Sequence, residues 1–429
     1  MSRSFWVETL GCPKNRVDSD KLAGTLVAEG MVAAGGPGDA DLVVVNTCAF
    51  VEEARVESVD TVLALAGERR AGAELVVTGC MAQRYGDELA RALPEADVVA
   101  GFGVPVHLGR RPSPVPSMDL LELPRPAASV PWAYVKVAEG CDRACGFCAI
   151  PSFRGPQRSR SPEAVLAEVD SLAAGWGGVP VVEIVLVAQD LAAYGRDQGR
   201  GARQIVPLVG AVAARVPRVR LLYLYPSDLT DELVDVVCDS GVPYFDLSLQ
   251  HVSRPLLRRM RRWGDARRFL ARIEDIRRRR PGAALRSSFI VGYPGETEDD
   301  HDRLLSFLDD AELDWCGFFP WSAEDGTHAA GLDGRVDDRL VAERLAECSE
   351  RQDAITARRR DALVGTEVEV LVDRPGVGRT YREAPEIDGI VHLPGHLAPG
   401  SLAPVRVVAA AGPDLVAAGA VDSPLDAPA

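Results

Sequence analysis

Cys141, Cys145 and Cys148 form a C-x3-C-x2-C run within Glu139-Gly140-Cys141-Asp142-Arg143-Ala144-Cys145-Gly146-Phe147-Cys148, directly after an apolar stretch. Three thiolates on a short loop can each take one iron of a four-iron cluster. With no fourth cysteine close by, the last iron keeps an open position for a substrate or cofactor; a fully thiolate-ligated cluster usually only carries electrons. Two other chemistries compete. Structural zinc takes four ligands, and the nearest extra candidate, His107, lies across a proline-rich stretch. A disulfide needs an oxidising compartment, and Met1-Ser2-Arg3-Ser4-Phe5-Trp6 lacks the apolar core of a signal peptide. The expectation is a cytoplasmic protein with reduced cysteines.

Three more cysteines, Cys12, Cys48 and Cys80, each close an apolar run: Ser4 to Leu10, Leu42 to Val45 and Leu75 to Val77. Helical patterns separate the runs, at Asp18 to Glu29, Glu52 to Ala66 and Tyr85 to Leu93. Near-continuous apolar strands alternating with helices predict a doubly wound parallel sheet. Ligands of such sheets bind beyond the carboxyl ends of the strands, so the topology brings all three thiols to one edge as a second three-thiolate set. A free cysteine can also be a small buried hydrophobe; Cys238, Cys316 and Cys348, within helix or strand patterns, are read that way.

The elements that position these residues divide the 429-residue chain into four stretches. Residues 1–110 form the sheet domain. Residues 111–131, with Pro112, Pro114, Pro116, Pro124, Pro126 and Pro131, read as a semi-rigid extended spacer. Residues 132–365 contain six strand patterns: Trp132–Val137, Val181–Val187, Val219–Leu224, Tyr244–Leu249, Leu285–Val291 and Trp315–Phe319. Helical patterns between them, for example Pro162–Ala174, Asp231–Asp239 and Glu298–Ala311, predict an open (β/α)6 barrel with its chemistry at the C-terminal strand ends. Residues 366–429 carry short Val/Gly-rich strands, at Val368–Val372, Gly389–His392 and Val405–Val408, expected to form a small antiparallel β-barrel. The tail Val421 to Ala429 is expected to fray. No apolar run approaches a bilayer span, and the net charge of −15 argues against a surface that grips nucleic acid throughout.

The triplet followed by Ala149-Ile150-Pro151-Ser152-Phe153-Arg154-Gly155-Pro156 resembles the radical S-adenosylmethionine (SAM) methylthiotransferases, and the domain order matches theirs along essentially the whole chain, ending in a TRAM-like barrel. Gly11-Cys12-Pro13-Lys14-Asn15, Cys48-Ala49-Phe50-Val51-Glu52-Glu53-Ala54-Arg55, Val187-Ala188-Gln189-Asp190 and Ala384-Pro385-Glu386-Ile387-Asp388-Gly389 resemble the branch that modifies an aspartate of a ribosomal protein. The resemblance implies two [4Fe-4S] clusters, one on each cysteine set, and two SAM molecules, one for a radical and one for a methyl group. The product would be a β-methylthio-aspartate on a small-subunit ribosomal protein at the decoding centre. The implied partners are that protein, free or within the ribosomal subunit, and a reductant protein, with no membrane and no stable tRNA binding.

It also implies SAM contacts, each with a plain alternative. Gln189 and Asp190 would meet the SAM amino group, or cap a strand end. Gly292 would admit adenine or ribose, or make a turn. Arg286 would reach the SAM carboxylate, or pair within the barrel. Phe147 would pack over the cluster or adenine. Gln250-His251 ends a strand and is given no acid–base role. Twelve arginines between Arg254 and Arg280 read as a solvated helix face or as a contact for ribosomal RNA. Two rival functions remain. A tRNA-adenosine methylthiotransferase would share both cysteine sets, but the stretch 366–429 has nine acidic and four basic residues, 4 − 9 = −5, which suits a basic protein better than tRNA phosphates. A non-catalytic Fe–S RNA-binding adaptor would keep the cysteines without cleaving SAM.

Overall fold

A computed structural model describes residues 3–102, 119–199 and 204–420. His107, Pro112, Pro114, Pro116 and the tail from Val421 lie outside the described residues.

The N-terminal domain holds β1 (Ser4–Thr9), α1 (Pro13–Ala28), β2 (Val32–Ala33), β3 (Leu42–Thr47), α2 (Glu52–Glu68), β4 (Glu74–Gly79), α3 (Cys80–Ala92) and β5 (Val98–Val99). The five strands are all parallel, in the order β2-β1-β3-β4-β5. Alternation along β3 and β4 sorts their side chains onto two faces. Leu42, Val44 and Val76 pack with Leu26 of α1. Val43, Val45, Leu75 and Val77 pack against Val62, Leu65, Met81 and Leu89 of α2 and α3. The sheet is therefore covered on both faces, and the strand order reverses between β1 and β3, where such folds place their ligands. Two predicted helices start earlier than their periodicity indicated. Pro13 occupies the first turn of α1, where its missing N–H costs nothing, and α3 begins at Cys80 with a kink at Gly86.

The segment before the barrel is not uniformly extended: α4 (Asp119–Glu122) interrupts it, and Arg125 pairs with Asp20 at 2.5 Å and Glu168 at 3.2 Å. The central domain then runs β6 (Trp132–Lys136), β7 (Ala138–Glu139), α5 (Ile150–Arg154), β8 (Arg158–Ser159), α6 (Pro162–Ala173), β9 (Glu183–Val187), α7 (Ile205–Ala213), β10 (Arg218–Leu221), α8 (Asp231–Cys238), β11 (Tyr244–Gln250), α9 (Arg254–Arg259), α10 (Ala266–Arg279), β12 (Ala284–Val291), α11 (Glu298–Ala311), β13 (Trp315–Pro320) and α12 (Asp338–Asp361). Its six main strands are parallel. They form two three-stranded sheets, β6-β9-β10 and β11-β12-β13, joined by the bridge Leu224–Leu247. This is an open (β/α)6 barrel.

The C-terminal barrel consists of β14 (Glu367–Arg374), β15 (Val377–Arg379), β16 (Val391–His392), β17 (Leu402–Ala411) and β18 (Asp414–Ala417), closed in the order β14-β15-β16-β18-β17. Its pairs are antiparallel except β16 with β18. The barrel docks on the amino-terminal end of the central strands. Glu183 at the start of β9 binds Arg220 at 2.7 Å and Arg379 at 3.1 Å, while Tyr244 and Arg286 both reach Asp388. Among the described residues no helix is long and apolar enough to cross a membrane.

Candidate functional site

All three N-terminal cysteines stand at the carboxyl edge of the sheet, each on the turn from strand to helix. Cys12 is the N-cap of α1. Burial raises its thiol, but the charges of Lys14 and Arg154 and the N–H groups of Asn15 and Lys14 outweigh that and hold it below the ordinary range. Cys48 follows β3, with its N–H held by Ser58 Oγ at 3.1 Å. Burial, helped by the charges of Cys12 and Cys80, pushes its thiol up to about 12. Cys80 opens α3. Burial raises it too, partly offset by Arg154, whose Nη2 donates to Cys80 Sγ at 3.1 Å. Asn15 ties the three turns together: its Nδ2 donates to the carbonyls of Leu10 at 3.0 Å and Thr47 at 3.1 Å, and its Oδ1 lies 3.4 Å from Cys80 Sγ.

The triplet loop follows β7 and is clamped by its backbone. Cys141 N–H donates to Gly155 O at 3.0 Å, Gly146 N–H to Met260 O at 2.8 Å, and Cys148 N–H to Cys145 O at 3.2 Å. Burial, with the charges of Asp190 and Cys145, raises Cys141 to about 11; burial chiefly raises Cys148 to about 12. Arg262 Nη1 approaches Cys145 Sγ at 3.4 Å. The Tyr225 ring lies between two guanidiniums, Arg143 at 3.8 Å and Arg262 at 3.9 Å.

As placed, no three His, Cys, Asp or Glu side chains among the described residues stand ready to hold a metal ion. A four-iron cluster does not need them to converge on one point, because each thiolate ligates a different iron. Each set supplies three soft donors that feel one another's charge, and each has a cation beside it, Arg154 or Arg262, to balance an anionic cluster. The donor chemistry fits the group.

Gln189 and Asp190 follow β9 one residue on, after Ala188. Gln189 Nε2 donates to Glu139 Oε1 at 3.0 Å, and Arg143 Nε to Asp190 Oδ2 at 2.6 Å. Gln189 Oε1 and Asp190 Oδ1 are buried with no protein partner. They are two unmatched acceptors beside the triplet, as a bound ammonium requires. Arg286 is elsewhere: the third residue of β12, it pairs with Asp246 at 3.1 Å and Asp388 at 3.3 Å, so the barrel ion pair is what forms. Gly292 lies in a turn at φ +78°, its N–H donating to Glu296 Oε2 at 2.7 Å. A Cβ there would strike Val341 of α12. Phe147 leans, half-buried, on the central core. His251 is fully buried; Ser253 N–H donates to its Nδ1, and burial lowers it to about 4.

The functional elements missed by sequence reasoning are polar contacts between domains. Lys136 Nζ binds Asp18 at 2.5 Å and Glu139 at 2.6 Å. Arg154 binds both Glu139 oxygens at 2.8 and 3.0 Å, Asn15 at 2.9 Å and Asp18 at 3.3 Å. Glu324 clamps α2 and α3 through Arg55 at 2.7 Å and Arg84 at 2.5 Å. Tyr223 and Gln250, just past β10 and at the end of β11, adopt φ of 66° and 71°, a conformation that costs a side-chain-bearing residue about 1–3 kcal/mol. Lys14 Nζ sits 3.4 Å from the Tyr223 ring. The only signal for these was a scatter of charged residues near the cysteines. A cavity of about 380 Å³ opens between Glu52 and Glu53 of α2 and the Gly292 turn, Trp321 and Val341. A second, of about 410 Å³, is lined by Pro124 to Ala128 and α6 and by none of the cysteines.

Part of the acidic excess of the C-terminal barrel is internal. Glu383 binds Arg360 at 2.5 Å, Asp373 binds Arg379 at 2.7 Å and Asp388 meets Arg286. Asp422 and Asp426 lie outside the described residues. Glu367, Glu369 and Glu386 remain exposed, so the net count of −5 overstates the surface charge.

Three families match along the chain: Uncharacterized protein family UPF0004 at residues 4–101, the Radical SAM superfamily at 135–308 and the TRAM domain at 364–419. A protein of Moorella thermoacetica named "Ribosomal protein uS12 methylthiotransferase RimO" is 43% identical over 94% of this chain and 95% of its own length. One of the same name from Kineococcus radiotolerans is 42% identical over 97% of each. Among solved structures, the radical S-adenosylmethionine methyltransferase TsrM from Kitasatospora setae aligns at 15% identity with a TM-score of 0.48, covering 75% of each chain.

Proposed function

The chain belongs to the ribosomal protein uS12 methylthiotransferases, within the radical SAM superfamily, and we propose that it adds a methylthio group to an aspartate β-carbon of uS12, with Cys12, Cys48 and Cys80 holding one [4Fe-4S] cluster and Cys141, Cys145 and Cys148 the other. The observation that carries the reading is the meeting of the two thiol sets at one buried domain interface, where Arg154 touches Cys80 and the Glu139 that leads into Cys141. When bound, the clusters and SAM supply hydrogen abstraction, sulfur and a methyl group. The protein's own residues do the rest. Asp190 Oδ1 and Gln189 Oε1 accept from the SAM ammonium. Arg143, Arg262 and Tyr225 wall the triplet, and the Glu324 clamp holds the N-terminal domain over the barrel, which keeps out water and stray hydrogen donors.

The basic stretch favours the assembled ribosomal subunit as substrate. Four of the six arginines of α10 are matched: Arg268 pairs with Asp265, Arg272 with Asp231 and Asp275, Arg278 with Asp275, and Arg279 with Asp231, Asp235 and Asp275. Arg254, Arg258 and Arg261, at i, i+4 and i+7, are exposed and have no carboxylate partner among the described residues. They flank Met260, whose carbonyl holds Gly146 of the triplet loop. Cations at that rim suit ribosomal RNA phosphates, and a reductant protein must also dock. The test is anaerobic reconstitution with SAM, a reductant and, in parallel, free uS12, small subunits and tRNA, read by mass spectrometry. The reading expects one methylthio mass on uS12 and none on tRNA; modification of tRNA alone would overturn it. Triple Glu substitution of Arg254, Arg258 and Arg261 should weaken subunit binding and flatten its salt dependence by about three phosphate contacts. Free uS12 should be unaffected.

A further inference from the structure

Helix α5 leaves the triplet loop and enters the other domain. Its Phe153 packs against the N-terminal core, and Arg154 is buried over the Phe102 ring at 4.2 Å, followed by Gly155 at φ +75°. The Arg154 guanidinium makes five polar contacts: two to Glu139 and one each to Asn15, Asp18 and Cys80 Sγ. Lys136 completes a set of two cations and two carboxylates. That set is already neutral, so a thiolate at Cys80 adds a negative charge directly against Arg154. A charged N–H donor on a cluster thiolate stabilises the more negative, reduced state of the cluster. Close outer partners tune a metal site in this way. The same side chain fixes the loop of the other set through Glu139, two residues before Cys141.

We propose that Arg154 is a positioning residue that locks the two cysteine sets into one unit and raises the reduction potential of the cluster on Cys12, Cys48 and Cys80. The inference rests on both sets holding clusters, as assigned above. It is tested by EPR-monitored potentiometry on reconstituted full-length protein. One background carries Cys141, Cys145 and Cys148 as Ala, so that only the N-terminal set loads; the other carries Cys12, Cys48 and Cys80 as Ala. In the first, Arg154→Gln should lower the reduction equilibrium constant about tenfold or more, 59 mV for one electron, with Arg154→Lys in between. In the second, Arg154→Gln should leave the potential in place. Equal potentials for wild type and Arg154→Gln in the first background would overturn the proposal, as would an equal shift in both. Should Arg154→Gln not load iron, Arg154→Lys and Glu139→Gln carry the measurement: Lys with an unchanged potential, or Glu139→Gln with a lowered one, would also overturn it, because removing that carboxylate leaves the cation more strongly felt at Cys80. Failure of the wild-type sets to load any iron would instead sink the cluster assignment.

Discussion

At the scale of the residue, the site is defined by what its buried polar atoms lack. Asp190 spends one oxygen on Arg143 and leaves the other without a partner, next to an equally unmatched Gln189 Oε1. A buried acceptor with nothing to accept costs about 1–3 kcal/mol, which a ligand ammonium recovers. Asp190→Asn should therefore weaken SAM binding by roughly ten- to a hundredfold, measured by anaerobic calorimetry, while leaving iron content at the wild-type level. Gln189 and Asp190 could be singled out from their place after an apolar strand. Arg286 could not be assigned, because a strand arginine looks the same whether it faces a ligand or, as here, an aspartate of another domain.

At the scale of the element, strand-to-helix turns carry the thiols. Gly11 precedes Cys12 at φ +86°, and a Cβ built there lies 2.8 Å from Cys48 Cβ and Sγ. Gly11→Ala combines left-handed strain of about 1–2 kcal/mol with displacement of a thiol from the next turn. Iron loading of the N-terminal set should fall, so total iron drops by about half, with the triplet's EPR signal retained. Full loading of both sets would show that the turn is not restrictive. The near-continuous apolar runs of β3 and β4 and the cysteines after them were legible in the sequence. The starts of α1 and α3 were less so, because Pro13 and Gly79 do their work in the turn and leave no periodic mark.

At the scale of the molecule, three domains are joined by buried ion pairs. Glu183 has no exposure and sits among Arg218, Arg220 and Arg379. Burial pushes its carboxyl up, but the three arginines prevail and hold it near 2, against an ordinary 4.5. A depressed carboxylate contributes stability that is complete above its unfolded pKa and is lost as pH falls through the folded one. Here that is about 3 kcal/mol, disappearing between roughly pH 4.5 and 2. Chemical denaturation across that window should show this slope in the wild type and lack it in Glu183→Gln. At neutral pH Glu183→Gln should be less stable by about 3–5 kcal/mol, since it leaves buried arginines uncompensated. An unchanged pH profile would show that Glu183 does not join the C-terminal barrel to the central one.

The sequence by itself determined the two cysteine sets, the three-domain order, the parallel strands and the kinship with the methylthiotransferases. Those features are local: a C-x3-C-x2-C spacing fits within one loop, and an apolar run declares its strand whatever lies across from it. Only the tertiary structure decided that Arg154 binds Cys80, 74 residues away, that Lys136 binds Asp18 across 118, and that Glu183 binds Arg379 across 196. It also turned inward carboxylates of the C-terminal barrel that the sequence counts as surface charge. Charged side chains carry no periodicity. Their partners are chosen by which surfaces meet when the domains dock, and a buried cation takes whichever carboxylates that docking brings to it.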